Sequence, residues 1–569
     1  MHMNIHTVRA ITTSVTVLLA TALMARDYES AHGLRRSTPR HDNAAGGAKA
    51  APCSPATATT ELALNNVRAL LTTGGLLWYN KPQSQPAYEV PKTEERDGPK
   101  AIFAGGLWMG GLSPDNQLKL AAVRYRDGND FWPGPLTTGG DASVTSDVCV
   151  RYDQFYTNSK QDAERHNAFY RCQLDPDCDE ATEFPNYVVP TSYFDWPAIN
   201  NDPGYDTYLA PFVDWNGDGD YVPTDGDYPA FELGTPTGSC YKRREDPLPL
   251  FGDLNIWWVF NDKGNQHTET GGQPIGMEIR GQAFAFSTND EVNNMTFYNY
   301  LLINRGTQTL TNTYFGQYAD PDLGCADDDF TGCDVQRGLG FVYNWDDDDQ
   351  NCNGNPGYGP QPPAIGIDFF EGPFQDYDEF DNPGHLQQLS CNEYADQGGI
   401  PYKGIGIGYG DGVNDNERFG MRAFIYFSRD AASCCNDPGL AIHYYNYLRS
   451  IWKDGTPMSY GGTGYAPGNP NAIPCLYMFP GDSDPVGWGT SCQPQAPWQE
   501  TQQTNPDRRF VQSAGPFTLE PGAYNNVTVG VVWARATGGG AFASVEELRR
   551  ADDKAQALFD NCFRILDGP

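Results

Sequence analysis

The chain has 569 residues, 39% of them apolar and 13% aromatic, enough to build substantial cores, and its 73 acidic residues outweigh 38 basic ones for a formal net charge of −35. No basic stripe occurs, which argues against nucleic acid as a partner. The acid excess suits an extracellular protein that stays soluble and holds hard cations, and 62 Gly with 43 Pro favour strands and turns over helices.

Arg9 precedes the apolar run "ITTSVTVLLATALMA", and Ala20 to Ala22 offers a small-x-small cleavage site. A run this short reads as an export signal over residues 1–25, not as a membrane span. No other stretch reaches the apolar length of a span, so the mature chain is not expected to be an integral membrane protein. Residues 26–59 have little apolar content and no period, and read as a disordered leader. Fourteen cysteines in an exported chain imply disulfides. The short spacings point to Cys172–Cys178 and Cys325–Cys333, with Cys352–Cys391 and Cys475–Cys492 as looser pairings. Zinc is disfavoured, because the chain has no pair of C-x-x-C sequences.

"ELALNNVRALL" (Glu61 to Leu71) reads as a short helix ending at Gly74. "AIFAGGLWMGGL" and "QLKLAAVRY" then form a hairpin through the turn-rich "SPDN". Two prolines break the chain between Phe131 and Leu136. Beyond residue 250, "NIWWVFND", "IGMEIRGQAFAFS", "MTFYNYLLINRG", "NTYFGQYAD", "RAFIYFS" and "NNVTVGVVWARA" are strands by their β-branched and aromatic content. Turn-rich loops separate them, so the sheets should be antiparallel. Two helices interrupt the pattern. One is capped at Asp437-Pro438, with Leu440, Tyr444, Tyr447, Leu448 and Ile451 on a face. The other starts from a capping box, Ser544 to Glu547, and its stripe runs from Val545 to Cys562. The fold class is therefore mainly β: antiparallel, sandwich-rich, with long loops and a few covering helices. A β-rich part over residues 60–250 would precede a sandwich-like part over 251–569.

The stretch "DWNGDGDYVPTDGDYP" (Asp214 to Pro229) gathers six acidic or Asn residues and three Gly in sixteen positions. Like charges so close need a positive partner or bulk water. A twelve-residue calcium loop wants oxygen ligands at positions 1, 3 and 5, Gly at 6, a carbonyl at 7 and a carboxylate at 12. Counted from Asp214, these fall on Asn216, Asp218, Gly219, Asp220 and Asp225, with Asp227 in reserve should Pro223 bend the loop out of register. "LAPFVDW" upstream is extended, so the loop belongs to a β scaffold. A second candidate, "GDGVNDNERFG", offers Asp411, Asp415 and Glu417. "DPDLGCADDDFTGCD" (Asp320 to Asp334) and the acidic loop from Trp345 to Asn355 are balanced between cation binding and solvated turn.

Enzyme signatures are scarce: no G-x-S-x-G elbow, no H-E-x-x-H and no phosphate-cradling glycine loop. His267 lies near Glu269, a spacing common by chance, and His443 reads as a packing residue. Acids are so abundant that a glycosidase pair is not diagnostic. Trp108, Trp132, Trp257 and Trp258 are candidates for stacking on sugars, though core positions suit them better.

Several motifs carry a resemblance: "FAGGLWMGGL", "YRDGNDFWPGPL", "APFVDWNGDGDYVPTDGDYP", "IWWVFNDKGNQHTETGGQPIGMEI", "DGTPMSYGGTGY" and "SAGPFTLEPG…VGVVWARA". Over roughly residues 60–569 the chain resembles large secreted proteins of Bacteroidetes-type bacteria, which often carry a sorting domain for type IX secretion. The resemblance implies a secreted or cell-surface location and brings no activity with it. The expected function is a secreted, calcium-stabilised structural or adhesive module whose partners are surface glycans or other extracellular proteins. The alternatives are a carbohydrate-active enzyme and a non-catalytic glycan-binding module.

Overall fold

A computed structural model describes residues 34–35, 52–231, 251–383, 390–396, 407–429, 431–501, 507–561 and 563. The expected export signal, most of the expected leader, Cys240 and Cys562 lie outside these residues. The protein is mainly β, as its composition predicts, and its strand pairs are antiparallel.

Two large sheets form the centre. The first runs in the order Ala423–Ser428, Arg508–Leu519, Leu310–Asp320, Ala104–Leu112, Leu76–Leu77, Arg68–Thr72, Tyr88–Glu89 and Lys100–Ile102. The second runs Trp132–Pro133, Leu254–Asn261, Met277–Ala285, Thr296–Asn304, Tyr524–Ala534, Ala364–Glu371, Leu339–Asn344 and Asp329–Asp334. They pack face to face over one core. The Trp78 indole donates to the Tyr298 hydroxyl at 2.9 Å across it, and Phe315 packs edge-on against Phe369. Strands from both sides of residue 250 share these sheets, so the expected division into 60–250 and 251–569 does not separate two cores.

The hairpin through Ser113 to Asn116 is present, pairing Leu112 with Leu118, and Asn116 supplies the left-handed turn residue at φ 59°. The segment expected as a helix over 61–71 is instead two paired strands, Thr59–Leu62 and Arg68–Thr72. Val67, Ala69 and Leu71 are buried on alternate positions, a period of two. Asn65 makes the turn between the strands: its side-chain oxygen accepts from the Val67 amide, and its Nδ2 donates to the Met295 carbonyl.

Both covering helices exist, with starts that differ from expectation. The first is Ala441–Tyr447, preceded by Leu440. Asp437 does not cap it; its carboxylate meets Arg124 and Arg509, and also Arg126. Tyr444 packs edge-on to Trp108 and Tyr447 stacks on Phe427, closing the outer face of the first sheet. The second helix is Ala541–Asp560. Ser544 lies inside its first turn, where its hydroxyl donates to the Pro362 carbonyl and accepts from the Ala536 amide. Val545, Leu548, Ala551, Ala555, Leu558 and Phe559 pack on the second sheet as expected. A further helix, Lys160–Leu174, is capped by Ser159 and belongs to a segment covering the rest of that face. No helix among the described residues is long and apolar enough to cross a membrane.

The described disulfides are Cys53–Cys149, Cys172–Cys178, Cys325–Cys352, Cys391–Cys492 and the adjacent pair Cys434–Cys435. Cys172–Cys178 is the expected staple. Cys325–Cys333 is not formed, because Cys333 lies within the strand Asp329–Asp334, with its buried thiol directed to the Met478 carbonyl. The loose pairings fail as well: Cys475 is a buried thiol, and Cys391 and Cys492 bond to each other. Cys53, placed in the expected disordered leader, is buried and bonded, so ordered structure begins before residue 59.

Candidate metal centre

The strand Phe212–Val213 delivers the chain into the acidic loop, and Tyr228–Pro229 pairs back on it. Between them the loop folds on its own carboxylates. Asp214 Oδ1 accepts from the Gly217 amide at 2.7 Å and Oδ2 from the Gly219 amide at 3.0 Å, so the first position of the twelve-residue count binds the fourth and sixth. Gly217 and Gly219 stand at φ 75° and 90°, which L side chains rarely adopt, and this allows the tight winding. Asn216 Oδ1 accepts from the Asp218 amide, and Asp218 Oδ1 from the Asp220 amide. The Tyr208 hydroxyl donates to the Gly219 carbonyl and fixes the tip.

Pro223 opens a short 3-10 turn, Pro223–Asp225, and displaces the exit of the loop. Asp225 is left exposed, and Asp227 turns inward. Its Oδ1 accepts from the Trp215 amide and its Oδ2 from the Val222 amide, each at 2.7 Å. Burial pushes Asp227 up; those two amides oppose the shift and the charges of Asp214 and Asp218 add to it, leaving it at about 6. The structure therefore brings Asp214, Asp218 and Asp227 to one electrostatic neighbourhood. Asp214, Asp218 and Asp227 do not place three carboxylate oxygens within 4.8 Å of one another, a spacing that two other groups of described side chains meet.

In the second candidate, Asp411 accepts from the Val413 amide and from Asn416 Nδ2, and Asp415 accepts from the amides of Asp378 and Glu379. Glu417 is buried and accepts from the Asn382 amide. Asp381 meets the amides of Gly410 and Gly412, both at 2.7 Å. The sequence reading missed Asp378 and Asp381, which a distant segment brings to this loop.

The other acidic loops are largely structural. Asp347 accepts from the Ala541 amide at 2.8 Å, placing negative charge at the start of the Ala541–Asp560 helix. Asp349 accepts from the amides of Cys325 and Tyr358. Asp334 pairs with Arg337 and Arg549. Trp108, Trp132, Trp257 and Trp258 are all buried, so none offers a sugar platform. His267 is also buried, its ring nitrogens facing the carbonyls of Leu120 and Asp262, and Glu269 pairs with Arg124. A cleft of about 680 Å³ opens beside Glu61, Arg68, Glu89 and Lys100, and no aromatic ring lines it. Its two glutamates are both engaged by Arg68.

Compared with known proteins, the chain matches no family model, and no curated protein is significantly similar to it.

Proposed function

We propose that the protein is an exported, calcium-stabilised structural or adhesive module that works at the cell surface or outside the cell, with surface glycans or extracellular proteins as partners. The observation that carries the calcium reading is the buried Asp227. Its hydrogen-bond donors are neutral backbone amides, and the side chains that raise it are the carboxylates of Asp214 and Asp218. A hard dication with oxygen ligands relieves that crowding. In this reading Asp214, Asn216, Asp218 and Asp227 are the side-chain ligands, and the three carboxylates, which stand further apart than a shared ion allows, draw together on binding it. Asp220 gives its carbonyl, and Asp225 yields its place to Asp227. Export, by the type IX route or another, is supported by the apolar N-terminal run and by the disulfides. The cleft without an aromatic lining and the burial of Trp108, Trp132, Trp257 and Trp258 support this module over a carbohydrate-active enzyme.

A calcium titration followed by thermal melting tests the loop. At a hundredfold excess over its dissociation constant, an ion bound only by the folded state contributes about 2.7 kcal/mol. For a chain of this size that raises Tm by about 2 °C. Asp218→Ala should lose that increment. An equal calcium response in the variant and the parent would remove the loop as a metal site.

A further inference from the structure

We infer that Asp320, Asp322 and Asp507 form a second divalent-cation site, built from the ends of two neighbouring strands and independent of the 214–227 loop.

Asp320 closes the strand Leu310–Asp320, and Asp322 follows two residues later. Asp507 immediately precedes Arg508–Leu519, the strand paired antiparallel to Leu310–Asp320 with Ala319 opposite Phe510. That pairing brings the end of one strand beside the start of the other. Asp507 adopts φ 64° as it enters its strand. One carboxylate oxygen from each of the three residues lies within 4.8 Å of the others. Oxygens that share a calcium ion at about 2.4 Å can be no further apart than twice that bond, so the spacing fits a common ion.

The charges around the site are incompletely matched. Arg509 reaches Asp320 at 3.1 Å and Asp507 at 2.8 Å, and also Asp437 at 3.0 Å, which Arg124 and Arg126 meet as well. Arg429 approaches Asp507 at 3.3 Å from the solvent side. Asp320 Oδ1 is buried without any hydrogen-bond partner. Asp322 is only 8% exposed, and among the described residues Arg509 acts on its carboxylate through charge, with no hydrogen bond or ion pair between them. Leaving buried carboxylates uncompensated is costly. An all-carboxylate donor set selects a hard cation such as calcium, with water or backbone oxygen completing the shell.

The test is isothermal titration of the mature, chelator-stripped chain with calcium chloride, comparing the parent with Asp322→Asn. This substitution removes charge at nearly constant volume. The expected result is one fewer calcium ion bound per chain in Asp322→Asn. The same stoichiometry and affinity as the parent would overturn the site. Should Asp322→Asn fail to fold, Asp507→Asn, at the more open edge, gives the same readout. Asp218→Ala, run in parallel, separates this site from the loop: if the loop binds nothing, Asp218→Ala matches the parent while Asp322→Asn still loses its ion.

Discussion

Replacing Glu278 with Gln should destabilise the protein by about 3–5 kcal/mol, the range for a buried ion pair that loses one partner. Glu278, Arg280, Arg305 and Asp206 are each no more than 3% exposed. Glu278 meets Arg280 at 2.7 Å and Arg305 at 3.0 Å, and Asp206 receives both guanidiniums. Two acids and two bases balance, so Glu278→Gln leaves one buried positive charge unmatched. The network also holds the covering segment on the second sheet: Leu136 donates its amide to Glu278 at 2.9 Å, and Arg280 reaches the Leu209 carbonyl. Leu209 lies just before the strand that enters the acidic loop, so the calcium affinity proposed for that loop should weaken together with stability. Burial alone would raise Glu278, but the charges of Arg305 and Arg280 overcome it and hold the group at about 2. A depressed acid contributes stability that is present above its unfolded value of about 4.3 and lost as pH falls through the folded value. Melting curves of the parent should therefore drop between about pH 4.3 and pH 2, more steeply than those of Glu278→Gln. A variant within 1 kcal/mol of the parent at pH 7, the threshold for a solvent-screened pair, would show that the network is not a buried one.

The second large effect is expected from Cys53→Ala/Cys149→Ala. This disulfide spans 96 residues of sequence, and in the chain-entropy account its removal costs about 4–5 kcal/mol. Cys172→Ala/Cys178→Ala, across a separation of 6, should cost about 2 kcal/mol. Denaturant unfolding of the two variants measures the difference. Equal losses would mean that loop closure in the unfolded chain does not govern the effect. The longer bridge also ties residue 53 to the helix Ser146–Arg151, and so anchors the start of the fold against the covering segment.

Much of this architecture is legible in the sequence, and the misreadings have physical causes. The strands beyond residue 250 announce themselves because both of their faces are buried, which demands continuous aromatic and β-branched runs. The segment from Glu61 to Leu71 carries apolar residues at spacings that suit either period, and the Asn65 turn decides for strands. Asp437 has the chemistry of a helix cap, but Arg124, Arg126 and Arg509, all distant in sequence, claim it first. Disulfide partners depend on which strands lie side by side, so Cys325 could not be assigned to Cys352 from spacing. In the acidic loop the clustering of carboxylates was readable from composition. That Asp227 turns inward while Asp225 stays exposed required the bend at Pro223. Asp507 had no local pattern to mark it. Only the pairing of its strand with Leu310–Asp320 places it beside Asp320.

In the proposed function, bound calcium stabilises this fold. The most direct test is the melting temperature of the mature chain in excess chelator and in millimolar calcium at constant ionic strength and pH 7. The expected result is a higher Tm in calcium, by about 2 °C for each site saturated at a hundredfold excess. Superimposed melting curves would contradict it.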